Sequence, residues 1–213
     1  MYLNDGSSSE IRSYPHLAFV MDKALVSHFF LLLQQGVTIK CRIGCNMASF
    51  LRQEIGVDIE TIEKIQSIIL DGKPVDNLES AVIKDGSVLA LSAAMPGLVG
   101  ATLRRGGTYS SFRGAITYHE TGGEYAPGDG LIQIKLFNLL MSELGPGLLQ
   151  KGIIISSEDF IRVVAGQSQE FWQGCRQISL DGEPLTAGEL PDAAWLSGRG
   201  QVLLSVSSDQ TRV

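Results

Sequence analysis

The sequence predicts an α+β protein made of two copies of one small unit, joined by a glycine-rich connector that belongs to neither. The main observation is an internal repeat: residues 50–74 and 160–184 align at a constant offset of 110 without a gap. Nine of the 25 aligned positions are identical: Phe50/Phe160, Arg52/Arg162, Gly56/Gly166, Glu60/Glu170, Ile68/Ile178, Leu70/Leu180, Asp71/Asp181, Gly72/Gly182 and Pro74/Pro184. In a chain of 213 residues, a repeat of this length means a duplicated domain rather than a solenoid of short units. The second observation is that helix and strand signals follow one order around both copies. The predicted organisation is an N-terminal tail at 1–14, a first unit at 15–96, a connector at 97–130, a second unit at 131–208 and a tail at 209–213. Each unit then has about 75 to 85 residues, enough for a modest core.

In the first copy, residues 17–21 and 36–42 are short apolar or alternating runs on either side of a helical stretch at 24–34, which predicts strand, crossover or hairpin, strand. Asn46 or Ser49 caps a helix that buries Phe50, Leu51 and Ile55 and stops at Gly56. The β-branched run 65–70 returns the chain to a strand, Asp71-Gly72 makes a tight turn, and Lys73-Pro74-Val75 leaves it as a hairpin would. Lys84-Asp85-Gly86-Ser87 is a second turn, and 88–94 is the last strand, ended by Pro96-Gly97.

The second copy repeats the order with strands at 131–137 and 153–156, a helix at 157–164, a strand at 177–180, the turn Asp181-Gly182 and a strand at 201–207. Ser157 reads as the helix cap, with Glu158 and Asp159 in the first turn where the helix dipole favours acids. Gly166 reads as the stop. The two recurring aspartates are assigned to turn geometry, each bonding its own loop backbone ahead of a glycine.

A strand pair, a helix, a strand ending in a glycine turn and a last long strand is the β-grasp order. The stretches Gln133-Ile134-Lys135-Leu136-Phe137, Ile178-Ser179-Leu180-Asp181-Gly182-Glu183-Pro184-Leu185 and Ile83-Lys84-Asp85-Gly86-Ser87-Val88-Leu89 resemble the small sulfur carriers of molybdopterin and thiamine synthesis, and ubiquitin. The resemblance implies two tandem β-grasp (ubiquitin-like) domains. Carriers of that family work through a C-terminal Gly-Gly, whereas this sequence finishes Gln210-Thr211-Arg212-Val213. The first copy instead runs on through Ala93, Ala94, Met95 and Pro96. Leu103-Arg104-Arg105-Gly106-Gly107 is similar to the ubiquitin tail, so cleavage after Gly107 would create a carrier end. The competing reading, which is favoured, is a two-glycine β-hairpin between the strand-prone flanks 101–103 and 108–112.

Composition narrows the function classes. The net charge of −6 and pI near 5.1 oppose a general nucleic-acid or anionic-membrane surface. The apolar stretch 17–33 is interrupted by Asp22, Lys23 and His28, which predicts no transmembrane span. Residues 1–13 lack the basic-then-apolar order of a signal peptide, and three cysteines make no disulfide framework, so a cytoplasmic protein is expected. With 44% hydrophobic and 19% charged residues and a mean hydropathy of +0.14, apolar surface is expected to close between the halves or between subunits.

Candidate site residues cluster in the connector. Positions 86–119 contain no Asp or Glu, while Arg104, Arg105 and Arg113 stand among Tyr109, Phe112 and Tyr118. Arg104, Arg105, Gly106, Gly107 and Arg113 therefore form a candidate surface for a partner or an anionic ligand, against the alternative that the arginines serve packing. Cys41 and Cys45 have the one metal-like spacing and resemble a fragment of a plant-type ferredoxin loop, but that loop needs four thiolates and the chain has three cysteines, so no metal and no cofactor is expected. His16, His28 and His119 sit in no nucleophile motif, and Trp172 and Trp195 read as core or interface. The expectation is a non-enzymatic protein acting through protein contacts, with a protein partner or a second copy of itself. The alternatives are a carrier or accessory subunit in sulfur or cofactor metabolism, and a small anionic ligand held between the two domains.

Overall fold

A computed structural model describes residues 14–120, 122, 125–190, 196 and 200–209. Trp195, the C-terminal residues 210–213 and the expected N-terminal tail up to Ser13 lie outside the described residues. The architecture is α+β: among the described residues, ten strands form one mixed sheet with helices packed on it. The strands are β1 (His16–Met21), β2 (Val37–Ile43), β3 (Ser67–Leu70), β4 (Lys73–Pro74), β5 (Val88–Ser92), β6 (Gly128–Phe137), β7 (Ile153–Ser156), β8 (Cys175–Leu180), β9 (Glu183–Pro184) and β10 (Gln201–Ser208). The helices are α1 (Phe30–Gln35), α2 (Met47–Phe50), α3 (Ile59–Lys64), α4 (Gly97–Leu103), α5 (Leu139–Lys151), α6 (Ser157–Ala165) and α7 (Gln169–Gln173). A 3-10 turn at Lys23–Phe29 leads into α1, and a π turn at Leu51–Ile55 extends α2.

The caps explain where several helices begin and end. Asn46 accepts from the Ser49 amide at 2.8 Å, and Gly56 ends the following π turn with φ 80°, a left-handed conformation that suits glycine. In the second repeat the cap is Ser156 rather than Ser157. The Ser156 hydroxyl accepts from the Asp159 amide at 3.0 Å, while Ser157 is already helical and buried. Ser157 had looked equally suitable because both serines precede the acidic first turn. Only one of them has the extended backbone that a cap requires.

The sheet runs β4-β3-β5-β6-β2-β7-β10-β1-β8-β9. By chain order, β1 through β5 belong to the first repeat and β6 through β10 to the second. The sheet does not keep them apart. β6, the first strand of the second repeat, lies between β2 and β5 of the first, antiparallel to β2 and parallel to β5. β1, the first strand of the first repeat, lies between β10 and β8 of the second, parallel to β10 and antiparallel to β8. The first strands are exchanged. The halves meet where β2 and β7 run antiparallel at Thr38 and Ile154, so strand directions read alike from either edge. The two units therefore share one sheet instead of closing two.

The exchange follows from the crossovers. β1 reaches β2 through residues 22–36 and β6 reaches β7 through 138–152, helical segments far longer than a hairpin turn. Such crossovers carry each first strand past its neighbours, at about 4.8 Å per strand. Gly145 lets them pack together, since a Cβ there would stand 2.9 Å from Leu33 Cδ1 and 3.0 Å from the Phe30 ring.

Alternate residues of the strands face the helices: Leu17, Phe19 and Met21 of β1, Ile132, Ile134 and Leu136 of β6, and Val202, Leu204 and Val206 of β10 are all buried. The core is one continuous cluster drawn from both repeats. Phe19 links Phe29 and Phe160 at ring distances of 5.7 and 6.1 Å, so a strand of the first repeat packs on a helix of the second. Trp172 is half-buried and meets Phe171 edge-on at 5.0 Å.

The aspartate turns do more than the sequence suggests. Asp71 and Asp181 adopt φ 50° and 52°, as an Asp-Gly hairpin requires. Their carboxylates reach across to the neighbouring strand and not to their own loop. Asp71 Oδ1 accepts from the Val88 amide at 2.7 Å while the Asp71 amide donates to the Val88 carbonyl at 2.9 Å. Asp181 Oδ1 accepts from the His16 amide at 2.8 Å while the Asp181 amide donates to the His16 carbonyl at 2.8 Å. Val88 opens β5 and His16 opens β1. Equivalent aspartates thus hold non-equivalent strands.

Candidate functional site

The connector folds differently from the two-glycine hairpin expected of it. Pro96 precedes α4, and Ala101, Thr102 and Leu103 continue that helix where a strand was expected. Alanine and leucine favour helix, and the Thr102 hydroxyl donates to the Val99 carbonyl at 2.8 Å inside it. Gly106 has φ 64° in a turn whose Gly107 amide donates to the Arg104 carbonyl at 3.2 Å. The segment beyond Gly107 passes through a 3-10 turn at Ser110–Arg113, not a strand. Gly100 is buried against the Met95 backbone, where any Cβ would overlap the Met95 carbonyl oxygen. These two glycines are used for a turn and for close packing.

The three arginines separate into different roles. Arg113 is buried and pairs both guanidinium nitrogens with Asp76, at 2.7 and 2.9 Å. It also donates to the carbonyls of Thr102 and Arg104 and to the Thr117 hydroxyl. It is a structural staple that ties α4 and the 3-10 turn to the loop after β4, which removes it from the candidate binding set. Arg105 is half-buried and donates to the Ile62 carbonyl at 3.1 Å, and its amide donates to the Gln66 carbonyl at 2.7 Å. Arg104 alone is exposed, with its guanidinium making no hydrogen bond or ion pair among the described residues. The Gly106 amide points at Asp76 Oδ1 at 3.4 Å, so backbone donors and arginine do not converge on an anion site there.

A second clasp fastens the far end of the connector. Glu120 accepts from the Tyr118 hydroxyl at 2.6 Å, the Tyr125 hydroxyl at 3.0 Å and Lys84 Nζ at 3.1 Å, while Lys84 Nζ lies 4.3 Å from the Tyr125 ring centroid. The Tyr118 hydrogen bond, joined by Lys84 and Tyr125, holds the Glu120 carboxyl below the usual range. Lys84 is raised, first by its bond to Tyr125 and then by Glu120, and the Tyr118 hydroxyl is raised by burial and by the carboxylate it serves. The Tyr118 amide donates to the Pro74 carbonyl at 2.8 Å, laying the connector along the β4 edge. That edge is covered; Pro184 of β9, its equivalent, is exposed.

What this anchored segment leaves outside is apolar. Of the nine large apolar side chains exposed among the described residues, five lie between positions 98 and 116: Leu98, Val99, Tyr109, Phe112 and Ile116. Phe112 is 82% exposed, the highest of the nine. Its ring lies 6.1 Å from that of Tyr109. The sequence had marked Tyr109 and Phe112 beside the arginines but not Leu98, Val99 or Ile116, because an apolar residue in a chain reads as core until its neighbours are known.

The other sequence-derived sites do not assemble. Cys41 is buried and its thiol is pushed up to about 12, mainly by burial and then by Glu54, which opposes the thiolate a metal would need. Cys45 is raised as well, and among the described residues no three His, Cys, Asp or Glu side chains gather to hold a metal ion. A cavity of about 270 Å³ opens between the two crossovers at the end of β10, lined by Lys23, Ser27, Ser142 and Gln150, with none of the three arginines. Its Ser27 and Ser142 hydroxyls already donate to the Ala24 and Leu139 carbonyls. His16 bonds Ser205 at 2.8 Å, and His28 bonds Gln167 at 2.8 Å while its ring meets Phe171. Cleavage after Gly107 would not free a first unit, since the chain beyond it supplies β6 to that half of the sheet. No helix among the described residues is long and apolar enough to cross a membrane.

Comparison of the chain with protein-family models, with curated proteins and with solved structures gave no match.

Proposed function

We propose that this chain is a non-enzymatic protein of two β-grasp-related halves that holds a protein partner on the connector face. The observation that carries this reading is the concentration of exposed apolar side chains, five of nine, on a segment anchored by Arg113, Arg105 and Glu120. Exposed apolar side chains gathered on one anchored segment, with Tyr109 and Phe112 ring against ring, favour an interaction surface. The chain order of a strand pair, a helix, a strand, a glycine turn and a last strand, repeated in both halves, supports the β-grasp relation.

The test is site-specific photo-crosslinking in the native cell, with the probe at position 112 or 98 and, for comparison, at Leu31, an exposed apolar residue on α1. The expected result is one protein adduct shared by 112 and 98 and absent at 31. Indistinguishable adducts from all three positions, or none at 112, would remove the reading.

A further inference from the structure

We infer that the cavity between the two crossovers binds a free amino acid with an aliphatic side chain. This role is separate from the connector face, since no connector residue lines the cavity. Its volume is about 270 Å³, just below the range of about 300–1,000 Å³ that takes drug-sized molecules, so its occupant is small. Both halves build it: Val26 and Phe30 come from the first crossover, Pro146 from α5 and Val206 from β10. Val26 and Val206 are buried and Phe30 is half-buried, which gives the cavity an apolar floor.

The polar residues around this floor divide into acceptors and donors. The Ser27 hydroxyl gives its proton to the Ala24 carbonyl at 3.1 Å, and the Ser142 hydroxyl gives its own to the Leu139 carbonyl at 2.8 Å. Toward the cavity, both oxygens can then only accept. Pro146 adds a third acceptor. It has no amide proton for the Ser142 carbonyl one turn earlier, a costly loss inside a helix, and both residues line the cavity. Lys23 and Ser208 are opposite in kind: their side chains can donate, and they make no hydrogen bond or ion pair among the described residues.

A ligand that satisfies both sets brings an ammonium for the acceptors and a carboxylate for the donors, on a body that covers the apolar floor. An α-amino acid joins these three groups at one carbon. A simple carboxylate leaves the acceptors without a donor, and a simple amine leaves Lys23 unpaired and repels it. A phosphorylated ligand is disfavoured, because Lys23 is the one cation among the described residues that line the cavity.

The experiment titrates the intact chain with leucine, isocaproate and isoamylamine, read by calorimetry and by amide chemical shifts. The three share one branched body, and the second lacks the ammonium while the third lacks the carboxylate. Leucine should bind with a Kd of about 0.1–1 mM, as a ligand of this size does, and shift the amides of Val26, Ser142 and Val206. Each analogue should bind about tenfold more weakly or worse. Lys23→Gln should weaken leucine about fivefold and leave isoamylamine unchanged. Ser27→Trp, at an exposed position where a matching melt establishes folding, should block the cavity and abolish binding. Three results overturn the proposal: no leucine-dependent shift at those amides, an analogue that binds as tightly as leucine, or leucine binding that survives Ser27→Trp. The comparison of ligands uses wild type, so it decides the matter even if a variant fails to fold.

Discussion

The half of the sheet built on β3 and β4 and the half built on β8 and β9 carry the same Asp-Gly turn, yet the turn grips β5 in one and β1 in the other. On the strand's side only backbone groups are gripped in both cases: the aspartate amide donates to a strand carbonyl and the side-chain carboxylate accepts that strand's amide. Backbone pairing does not distinguish one strand from another, so the same device accepts whichever strand the crossover delivers. A second difference lies outside the sheet. The first half has its edge covered by a connector pinned through Arg113, Asp76 and Glu120, whereas the second has Thr186 at the position that aligns with Asp76. Duplication preserved the internal devices, while the surface device belongs to one half.

The largest expected effect tests the exchange. Fragments 1–122 and 123–213 each lack a strand that their own half of the sheet requires, β6 for the first and β1 for the second. Neither should melt cooperatively alone, and an equimolar mixture should recover a single transition. A sharp melt from either fragment by itself would mean that the halves are independent and the exchange dispensable.

Next comes the staple peculiar to the first half. Arg113→Met leaves the partly exposed Asp76 without its partner and the Thr102 and Arg104 carbonyls without their donor, and should cost about 2–3 kcal/mol in a thermal or denaturant melt. Combining it with Asp76→Ala should cost less than the two single changes together, because the second change removes a group already unpaired. Additive costs would show that the pair is not a unit.

The comparison is sharpened by changing both turns. Asp71→Ala and Asp181→Ala each remove a carboxylate acceptor from a strand amide and place a β-carbon residue without that support at positive φ, for about 1–3 kcal/mol. Amide exchange identifies the strand each turn holds. Val88 should exchange faster in the first variant and His16 in the second. Faster exchange of Gln201 in place of His16 would show that the second turn grips β10 instead.

The smallest effect depends on pH. The Glu120 carboxyl is depressed in the folded protein, so its contribution is fully present above the unfolded carboxylate value of about 4.3 and is lost as pH falls through the folded value. The Lys84 ammonium is raised, so its contribution holds below about 10.4 and fades as pH rises through the folded value. The stability gap between wild type and Glu120→Gln should therefore be present at neutral pH and shrink in acid. A gap independent of pH would show that the clasp acts through shape and not through charge.

Much of the local structure was legible in the chain. A cap at Asn46 or Ser49, the Gly56 stop, both Asp-Gly turns and strands at 153–156 and 201–207 follow from nearest-neighbour rules, since each depends on residues a few positions apart; the structure selects Asn46 and carries the last strand to Ser208. The connector misled because Gly106-Gly107 between short apolar flanks fits a hairpin locally, and only the long-range bonds of Arg113 and Arg105 select the helix and turn actually formed. The candidate site was half legible. Its arginines were visible as an acid-free run, but Arg113 proved to be a staple and the apolar residues had no sequence mark of exposure.

By itself, the sequence determined the duplication, the α+β class and the order of the strands in each copy, because identity at a fixed offset and hydrophobic period are properties of the chain alone. Only the tertiary structure decided which strand lies beside which, which arginine is free and which apolar side chains stay outside. Those outcomes depend on contacts between residues far apart in the chain: β1 with β8, β6 with β5, and Arg113 with Asp76. The energy of such contacts exists only once the crossovers have brought the segments together.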